Sequence, residues 1–331
     1  MQGLVELARV WRAETVESVH LGAAVVADAE GRVVMSWGDP GLVTYPRSSL
    51  KPFQAIPLVE SGAADALGLT TQHIALACAS HRAQDFHVAL VRDWLGRLEL
   101  EEGALVCGPA LPQDEADLVA AVNGGGRRRV FHNCSGKHCG FLTVSRRIGG
   151  GLDYARRDHP AQRLFLDAFS ELLGRDAAAL PWGTDGCGLP ALALPLRDMA
   201  TACARHAAVR VAGAGRAEAI RRIHAAIAAH PDHVGGRDEP TSRLVRAAGG
   251  RLVMKGGAEG YCIAMLPADG LGIAIKVADG ATRSKYGVLA TILGRIGVLT
   301  PADAAALIPR LEAPVLDSNG RAAGRTEIVL G

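Results

Sequence analysis

Aromatic residues are few and net charge is almost absent in this chain of 331 residues. Phe, Trp and Tyr together make up 4% of the sequence, and 36 basic residues against 34 acidic ones leave a formal charge of +2. A nearly neutral chain has no electrostatic drive toward polyanions, and few aromatic rings offer few platforms on which bases could stack. We therefore expect no nucleic-acid partner.

The sequence also lacks a long apolar segment and a regular cysteine pattern. No run of about 18 apolar residues occurs, so we expect no membrane-spanning helix. The N-terminal segment mixes charged with apolar residues, unlike the core of a signal peptide. The seven cysteines are odd in number and scattered, which is not the spacing of a disulfide framework. Together these features predict a reduced, cytoplasmic protein.

Lysine is rare, because 31 of the 36 basic residues are arginine. Arginine stays charged, whereas lysine can lose its proton and act as a base or as a metal ligand. In a chain that uses arginine almost everywhere, a lysine is therefore a candidate for chemistry. The five lysines are Lys51, Lys137, Lys255, Lys276 and Lys285.

Strand patterns occur at both ends of the chain and helical patterns fill the middle. The predicted strands are 19–27, 33–37, 251–255, 261–266, 272–277 and 326–330. The first predicted helix starts at Ser48 or Ser49, is kinked at Pro57 and ends at Gly62. The other predicted helices are 84–97, 113–122, 160–174, 195–208, 215–229, 283–296 and 301–311. This order predicts an α+β fold, an α/β/α-like sandwich whose mainly antiparallel central sheet combines N- and C-terminal strands with helices packed on it. No repeat or linker divides the sequence, so we expect residues 1–331 to form a single domain.

Two short motifs resemble parts of a serine hydrolase. Ser48 and Lys51 stand in an S-x-x-K relation at a helix start, where a spacing of three residues puts both side chains on one face. A deprotonated lysine can act as the base that a serine nucleophile requires. Lys255-Gly256-Gly257 lies where serine β-lactamases and penicillin-binding proteins carry K-T-G. The alternative for each motif is a structural one, a helix cap with a surface lysine and a surface lysine before a glycine turn.

Residues 131–140, FHNCSGKHCG, contain two cysteines, two histidines and a lysine. Thiolate and imidazole are preferred zinc ligands, but a C-x₄-C spacing with no second pair is unlike a structural zinc ribbon. Cysteines are often simply small buried hydrophobic residues, which is the alternative here. Ser80 and His81 end an apolar segment and are either a cap or part of a site.

Residues 182–190, WGTDGCGLP, form a second candidate loop. Its glycines and proline are typical of a shaped turn that presents Asp185 and Cys187, and Cys187 could add a metal ligand to Cys134. Gly183-Thr184 is also similar to the cleavage site of self-processing hydrolases, an alternative that predicts a cut chain. The phosphate-binding loop, the H-E-x-x-H motif and the G-x-S-x-G motif are all missing from the sequence.

Taken together, these segments resemble one family. The sequences YPRSSLKPFQA, CASH, HNCSGKHCGFL, WGTDGCGLP, MKGGAEGY and IKVADGATR occur in the order typical of rhizobial-type L-asparaginases, the asparaginase II family. The similarity runs from about residue 17 to the C-terminus. It implies a fold similar to that of serine β-lactamases and glutaminases, hydrolysis of L-asparagine, and a homodimer.

The resemblance also implies which residues form the site. The family has two Ser-Lys pairs, which match Ser48 with Lys51 and Ser80 with Lys255. It holds a zinc ion through two cysteines and a lysine, which match Cys134, Lys137 and Cys187. From the residues alone, His138 or Cys139 would be chosen as ligands ahead of Lys137.

The substrate contacts are candidates chosen by charge. An α-carboxylate requires a cation and an α-amine requires an anion, so we expect Arg47 and Asp185 to bind them and His138 to assist. Arg47 could equally form a structural ion pair. A glutaminase, or a β-lactamase or penicillin-binding enzyme of the same fold, is the nearest alternative function, although those enzymes lack cysteine-rich loops like those at 134 and 187. A non-enzymatic metal-binding protein is a further alternative.

Overall fold

The computed structural model describes residues 3–331, so residues 1–2 of the predicted domain lie outside the described residues. The strands are β1 (Val5–Arg12), β2 (Thr15–Asp28), β3 (Val33–Trp37), β4 (Val43–Thr44), β5 (Trp182–Thr184), β6 (Pro190–Leu192), β7 (Leu194–Pro195), β8 (Val253–Gly256), β9 (Tyr261–Leu266), β10 (Leu271–Val277) and β11 (Gly324–Ile328). The α-helices are α1 (Lys51–Gln54), α2 (Ile56–Glu60), α3 (Ala63–Ala66), α4 (Thr71–Ala77), α5 (Asp85–Arg97), α6 (Glu115–Asn123), α7 (Ser135–Arg147), α8 (Pro160–Leu173), α9 (Leu196–Ala207), α10 (Ala214–Ala229), α11 (Pro231–Val234), α12 (Pro240–Ala247), α13 (Lys285–Arg295) and α14 (Pro301–Leu311).

The chain divides into two compact units. The first unit comprises the chain up to Ser49, Leu194–Ala208 and Glu239–Gly331. The second comprises Leu50–Ala193 and Val209–Asp238. The prediction of one domain over the whole chain stays a prediction.

The first unit is built on an antiparallel sheet of N- and C-terminal strands. The strand order is β11-β1-β2-β10-β9-β8, and β3 pairs with β2 outside this path. At 14 residues, β2 is long enough to pair with β1 along its first half and with both β3 and β10 along its second half. The predicted antiparallel sheet that joins the two ends of the chain is therefore confirmed.

Helices cover both faces of this sheet. On one face, alternate residues such as Val26 and Ile273 pack in a hydrophobic core with α12, α13 and α14. On the other face β10 lies against α9, and a Cβ added to Gly272 would lie 2.1 Å from the carbonyl oxygen of Ala200. Alternation of side chains along a strand explains how one sheet can bury both faces. Within the first unit this arrangement confirms the predicted helix–sheet–helix layering.

The second unit is mainly helical, with one short hairpin formed by β5 and β6. Helix α7 lies at its centre, since all residues from Ser135 to Ser145 are buried. A Cβ added to Gly136 would lie 2.4 Å from the carbonyl oxygen of Leu76, so glycine allows α7 to approach α4 closely. The indole of Trp94 donates a hydrogen bond to Thr143 over 2.9 Å and so ties α5 to α7.

Most predicted elements are confirmed, with shifts of a few residues at their ends. The helix expected from Ser48 is broken at Ala55, just before Pro57, and Gly62 adopts a left-handed φ of 71° where that segment ends. The expected cysteine-rich loop at 134 ends at Cys134, because a 13-residue helix begins at Ser135. Strand β1 and helix α4 were not predicted.

No helix within residues 3–331 is long and apolar enough to cross a membrane.

Candidate active site

A strained turn in the first unit carries Ser48. Residues Arg47–Leu50 form a single 3₁₀ turn, and Arg47 has a φ of 54°, in the left-handed region that side chains other than glycine rarely adopt. Ser48 is half-buried, whereas Ser49 is fully buried and donates a hydrogen bond to the carbonyl oxygen of Lys255 over 3.0 Å. Strain of this kind persists only where the surroundings enforce it, and it is common at functional sites.

The glycines after Lys255 allow the end of β8 to touch that turn. A Cβ added to Gly257 would lie 2.5 Å from the carbonyl oxygen of Pro46 and 2.8 Å from the Ser49 hydroxyl. Lys255 itself is 3% exposed, and its amine donates to the carbonyl oxygen of Gly256 over 2.6 Å. The structure therefore brings the Ser48 turn and the Lys255-Gly256-Gly257 segment together within the first unit.

In the second unit, Lys51 is paired with Ser80. Lys51 is fully buried in α1, and its amine donates one hydrogen bond to the carbonyl oxygen of Ala79 and another to the Ser80 hydroxyl, 3.1 Å away. This pair differs from the two Ser-Lys pairs that the resemblance implies. Those pairs stay predictions.

The three expected zinc ligands also meet in the second unit. Cys134 precedes α7, Lys137 lies in its first turn, and Cys187 lies in the turn that joins β5 to β6, within the expected loop at 182–190. All three side chains are buried, and the Lys137 amine lies 2.9 Å from the Cys187 sulfur.

Electrostatics favours a thiolate at this place. The hydrogen bond from Cys187, together with the charges of Lys51 and Lys137, holds the pKa of the Cys134 thiol well below its ordinary value, against the effect of burial. The same hydrogen bond and burial raise the pKa of Cys187. Burial lowers the pKa of Lys137, but the two sulfur groups outweigh it and raise the pKa above its ordinary value.

The donor set fits a zinc ion. The Cys134 and Cys187 side chains share a hydrogen bond and the Lys137 amine contacts the Cys187 sulfur, so two sulfur atoms and one nitrogen converge at a buried position, and zinc accepts both kinds of ligand. A set of three protein ligands also leaves a fourth position open, as in catalytic zinc sites. In the described part of the chain, no group of three His, Cys, Asp or Glu side chains is arranged to hold a metal. A site here would therefore depend on Lys137.

The other expected site residues have distinct surroundings. Asp185 is half-buried in a tight turn, where its side chain accepts a hydrogen bond from the main-chain nitrogen of Cys187 over 3.2 Å. His138 is fully buried, its Nδ1 lies 2.8 Å from the Tyr154 hydroxyl, and burial lowers its pKa well below the usual value. No hydrogen-bond partner for the His138 Nε2 atom is present among residues 3–331. Arg47 is half-buried in the turn described above.

Sequence reasoning missed the link between His81 and Ser135. The His81 Nδ1 atom accepts a hydrogen bond from the main-chain nitrogen of Ala83, so its Nε2 atom is the donor to the Ser135 hydroxyl, 2.8 Å away. The main-chain nitrogen of His81 also donates to the carbonyl oxygen of Asn133. These bonds tie the Ser80 turn to the start of α7, where Cys134 lies. The adjacent Ser80 and His81 were the available signal in the sequence.

Comparison with known proteins gives one family match. A family model described as L-asparaginase II matches residues 8–328. No curated protein matches the chain.

Solved structures give more distant likenesses. The native form of Mglu is 15% identical with a TM-score of 0.47, over 86% of this chain and 66% of the Mglu chain. A β-lactamase from Mycobacterium bovis is 14% identical with a TM-score of 0.38, over 83% of this chain and 94% of that protein. The chain thus spans just under two thirds of the length of Mglu.

Proposed function

The chain belongs to the L-asparaginase II family, a family of amide-hydrolysing enzymes, and we propose that it hydrolyses L-asparagine to L-aspartate and ammonia. The family match over residues 8–328 is the observation that carries this proposal. Further support comes from the burial of Lys51, Lys137 and Lys255, since a lysine is almost never fully buried unless its amine is paired.

In the proposed reaction Ser48 is the nucleophile. Its hydroxyl oxygen attacks the side-chain amide carbon of asparagine, and Lys51 in its neutral form accepts the hydroxyl proton. Ser80, with Lys255, passes a proton to the departing nitrogen, which leaves as ammonia. Water then hydrolyses the resulting aspartyl ester, releases aspartate and restores the serine. This assignment agrees with the hydrogen bond between Lys51 and Ser80, because a proton can move along such a contact.

Three residues, one cationic, one anionic and one neutral, orient the substrate. Arg47 binds the α-carboxylate and Asp185 binds the α-amine, since each side chain carries the charge opposite to that of the substrate group it binds. His138 contributes a neutral imidazole, in agreement with the effect of burial on its pKa. Binding of both charged groups would favour a free amino acid over a simple amide as the substrate.

We propose that Cys134, Lys137 and Cys187 hold a zinc ion. When bound, the ion supplies an electrophilic position that orients substrate or water, and it links α7 to the 182–190 loop. The residues of the chain keep the reacting groups in place, with Ser48 as the nucleophile. We further propose a cytoplasmic homodimer, and static light scattering on the purified protein checks the dimer.

The test is ammonia release from L-asparagine by the purified protein and by Ser48→Ala. Ser61→Ala is a matched control, because the Ser61 hydroxyl only bonds the carbonyl oxygen of Pro57 at the end of α2. We expect activity in the wild type and in Ser61→Ala, and at least a thousandfold loss in Ser48→Ala.

Three outcomes would change the proposal. Full activity in Ser48→Ala would move the nucleophile, with Ser80 as the next candidate. Activity on L-glutamine but not on L-asparagine would change the substrate. Absence of activity on both amides, with zinc supplied, would contradict amide hydrolysis of free amino acids.

A further inference from the structure

Lys285 is a buried lysine to which the proposed reaction gives no role. It begins α13 in the first unit and is 3% exposed, and its amine donates a hydrogen bond to the carbonyl oxygen of Gly257 over 2.8 Å. Burial lowers the pKa of Lys285, while Cys262 and Glu312 act in the opposite direction. A lysine amine in such a place satisfies the buried carbonyl at a desolvation cost that a neutral residue would avoid. The position therefore calls for a specific explanation.

Tyr286 reinforces the same contact. A Cβ added to Gly256 would lie 2.4 Å from the Tyr286 hydroxyl oxygen, so this tyrosine closes directly over that glycine. The Lys285 amine lies 4.9 Å from the centre of the Tyr286 ring. Two successive residues of α13 thus hold two successive residues of the segment that follows Lys255.

The start of α13 is itself fixed in position. The carboxylate of Glu312 accepts hydrogen bonds from the main-chain nitrogens of Ser284, over 2.5 Å, and Gly287, over 2.9 Å. Ser284 has a φ of 74°, which directs the chain sharply into the helix. Because the start of α13 is fixed, the Lys285 side chain can hold the Gly257 carbonyl in a fixed position.

The held segment is the one that meets the Ser48 turn. Gly257 lies against Pro46 and Ser49, and Ser49 bonds the carbonyl oxygen of Lys255. The turn between them contains Arg47 in its left-handed conformation, which requires support from its neighbours. A continuous set of contacts therefore runs from Lys285 through Gly257 to Pro46 and Ser49, which lie on either side of Ser48 in the chain.

We propose that Lys285 is a positioning residue that, by holding the Gly257 carbonyl, fixes the Ser48 turn relative to Lys255. This inference rests on the proposed function for its kinetic consequence, since it assumes that Ser48 and Lys255 act on the amide. Lys285 does not touch the substrate in this scheme. Its loss displaces the nucleophile without removing a reacting group.

The kinetic test uses Lys285→Met, which keeps an unbranched side chain as far as the ε position and removes the amine. Lys276→Met is a matched control, because the Lys276 amine also donates to main-chain carbonyls, those of Glu259 and Val277, but to none of residues 255–257. A displacement of a nucleophile by about 1 Å costs roughly a hundredfold in rate. We expect Lys285→Met to lower kcat by ten- to a hundredfold with KM changed less than threefold. We also expect Lys285→Arg to recover part of the loss and Lys276→Met to remain within threefold of the wild type.

A second measurement tests the contact without a substrate. The main-chain nitrogen of Ser49 bonds Pro46, and that of Gly257 bonds Tyr261, so peptides covering these residues report on the two sides of the contact by hydrogen exchange. Lys285→Met should speed exchange at least tenfold in both peptides, and Lys276→Met should leave both unchanged.

These two measurements separate the inference from the proposed function. If the wild type releases no ammonia, the proposed function fails and hydrogen exchange still decides whether Lys285 holds the turn. If exchange in the two peptides is unchanged by Lys285→Met, the inference is overturned. A wild-type kcat in an active Lys285→Met enzyme, or an equal loss in Lys276→Met, would overturn it as well. Lys285→Leu, which also removes the amine, provides the same two readouts if Lys285→Met does not fold.

Discussion

The Lys51 amine donates a hydrogen bond to the Ser80 hydroxyl over 3.1 Å. Lys51 is fully buried, and its other bond, to the carbonyl oxygen of Ala79, holds the amine beside that hydroxyl. The two residues lie on different segments, the start of α1 and the turn after α4, so the contact depends on the folded second unit. A lysine and a serine held in this way can exchange a proton directly.

We therefore expect Lys51 and Ser80 to behave as one unit in kinetics. Lys51→Met and Ser80→Ala should each lower kcat for ammonia release by about a hundredfold or more, the range for a lost general acid or base. The double variant should be no slower than the slower single variant, because residues that act together are strongly non-additive. Steady-state ammonia release from all four proteins checks this.

Additive losses would contradict this prediction. If the two single effects multiply in the double variant, Lys51 and Ser80 act in separate steps. Thermal unfolding of each variant is the control, since a fall in folded fraction would imitate a loss of rate.

The second prediction concerns the zinc ligands. Cys134→Ser should lower the zinc content of protein purified without chelators from about one ion per chain to less than a tenth, because serine is a poor zinc ligand. Cys139→Ser is a matched control in α7, the helix that begins directly after Cys134, where burial raises the pKa of the Cys139 thiol and so keeps it protonated. Elemental analysis of both variants and of the wild type checks this.

Two results would contradict the zinc site. One is a wild-type protein without metal after expression with zinc. The other is an unchanged zinc content in Cys134→Ser, which would move the ion elsewhere.

The fold could be predicted from the sequence where periodicity is regular, and it was missed where periodicity is broken. Strand β2 and the C-terminal strands keep clear apolar patterns and were predicted. Strand β1 was missed because its pairing with β2 shifts register twice, near Glu6 and near Val10, so buried positions do not alternate. Helix α7 was missed because all residues from Ser135 to Ser145 are buried, which removes the polar face that indicates a helix.

The candidate site could be predicted as a set of residues but not as a set of contacts. The scarcity of lysine indicated Lys51, Lys137 and Lys255, and all three are buried. Which serine lies beside which lysine depends on tertiary packing, and no sequence pattern near Lys51 or Ser80 indicates that the two residues are in contact. The same holds for Lys285, whose partner Gly257 is 28 residues away in the chain.

The third prediction tests the close approach at Gly257. A Cβ there would lie 2.5 Å from a backbone oxygen, which cannot move as a flexible side chain can. Gly257→Ala should therefore destabilise the protein by about 1–3 kcal/mol, the usual cost of overpacking, and lower kcat by displacing the Ser48 turn. Gly96→Ala is the matched control, because Gly96 lies in α5 and a Cβ added there would point into open space. It should stabilise the protein by roughly 0.5–1 kcal/mol.

Thermal or urea unfolding of the two alanine variants checks this prediction. Equal stabilities of Gly257→Ala and the wild type would show that Pro46 and Ser49 can shift to make room for the added methyl group. In that event the close approach at Gly257 would not fix the position of the Ser48 turn.

The last prediction concerns the dependence of stability on pH. Burial lowers the pKa of His87 from an ordinary 6.5 to about 4, and the charges of His233 and Arg237 act in the same direction, while the hydrogen bond to Asp232 opposes them. The folded chain therefore keeps this imidazole neutral at a pH where the unfolded chain protonates it. The unfolded state binds more protons between about pH 6.5 and 4, so stability falls as the pH drops through that window. The difference in pKa corresponds to roughly 3 kcal/mol at most.

His87→Gln should reduce the fall in the free energy of unfolding between pH 6.5 and 4. A glutamine amide can replace the Nε2 atom as the donor to the carbonyl oxygen of Asp232, 2.9 Å away, but it does not titrate. The free energy of unfolding from urea titrations at several values between pH 7.5 and 4.5 checks this. At pH 7.5 the imidazole is neutral in both states, so any difference there measures packing alone and serves as the reference. If the decline from pH 6.5 to 4.5 is equally steep in both proteins, His87 is not a source of acid sensitivity, and the other buried histidines, such as His81, must account for it.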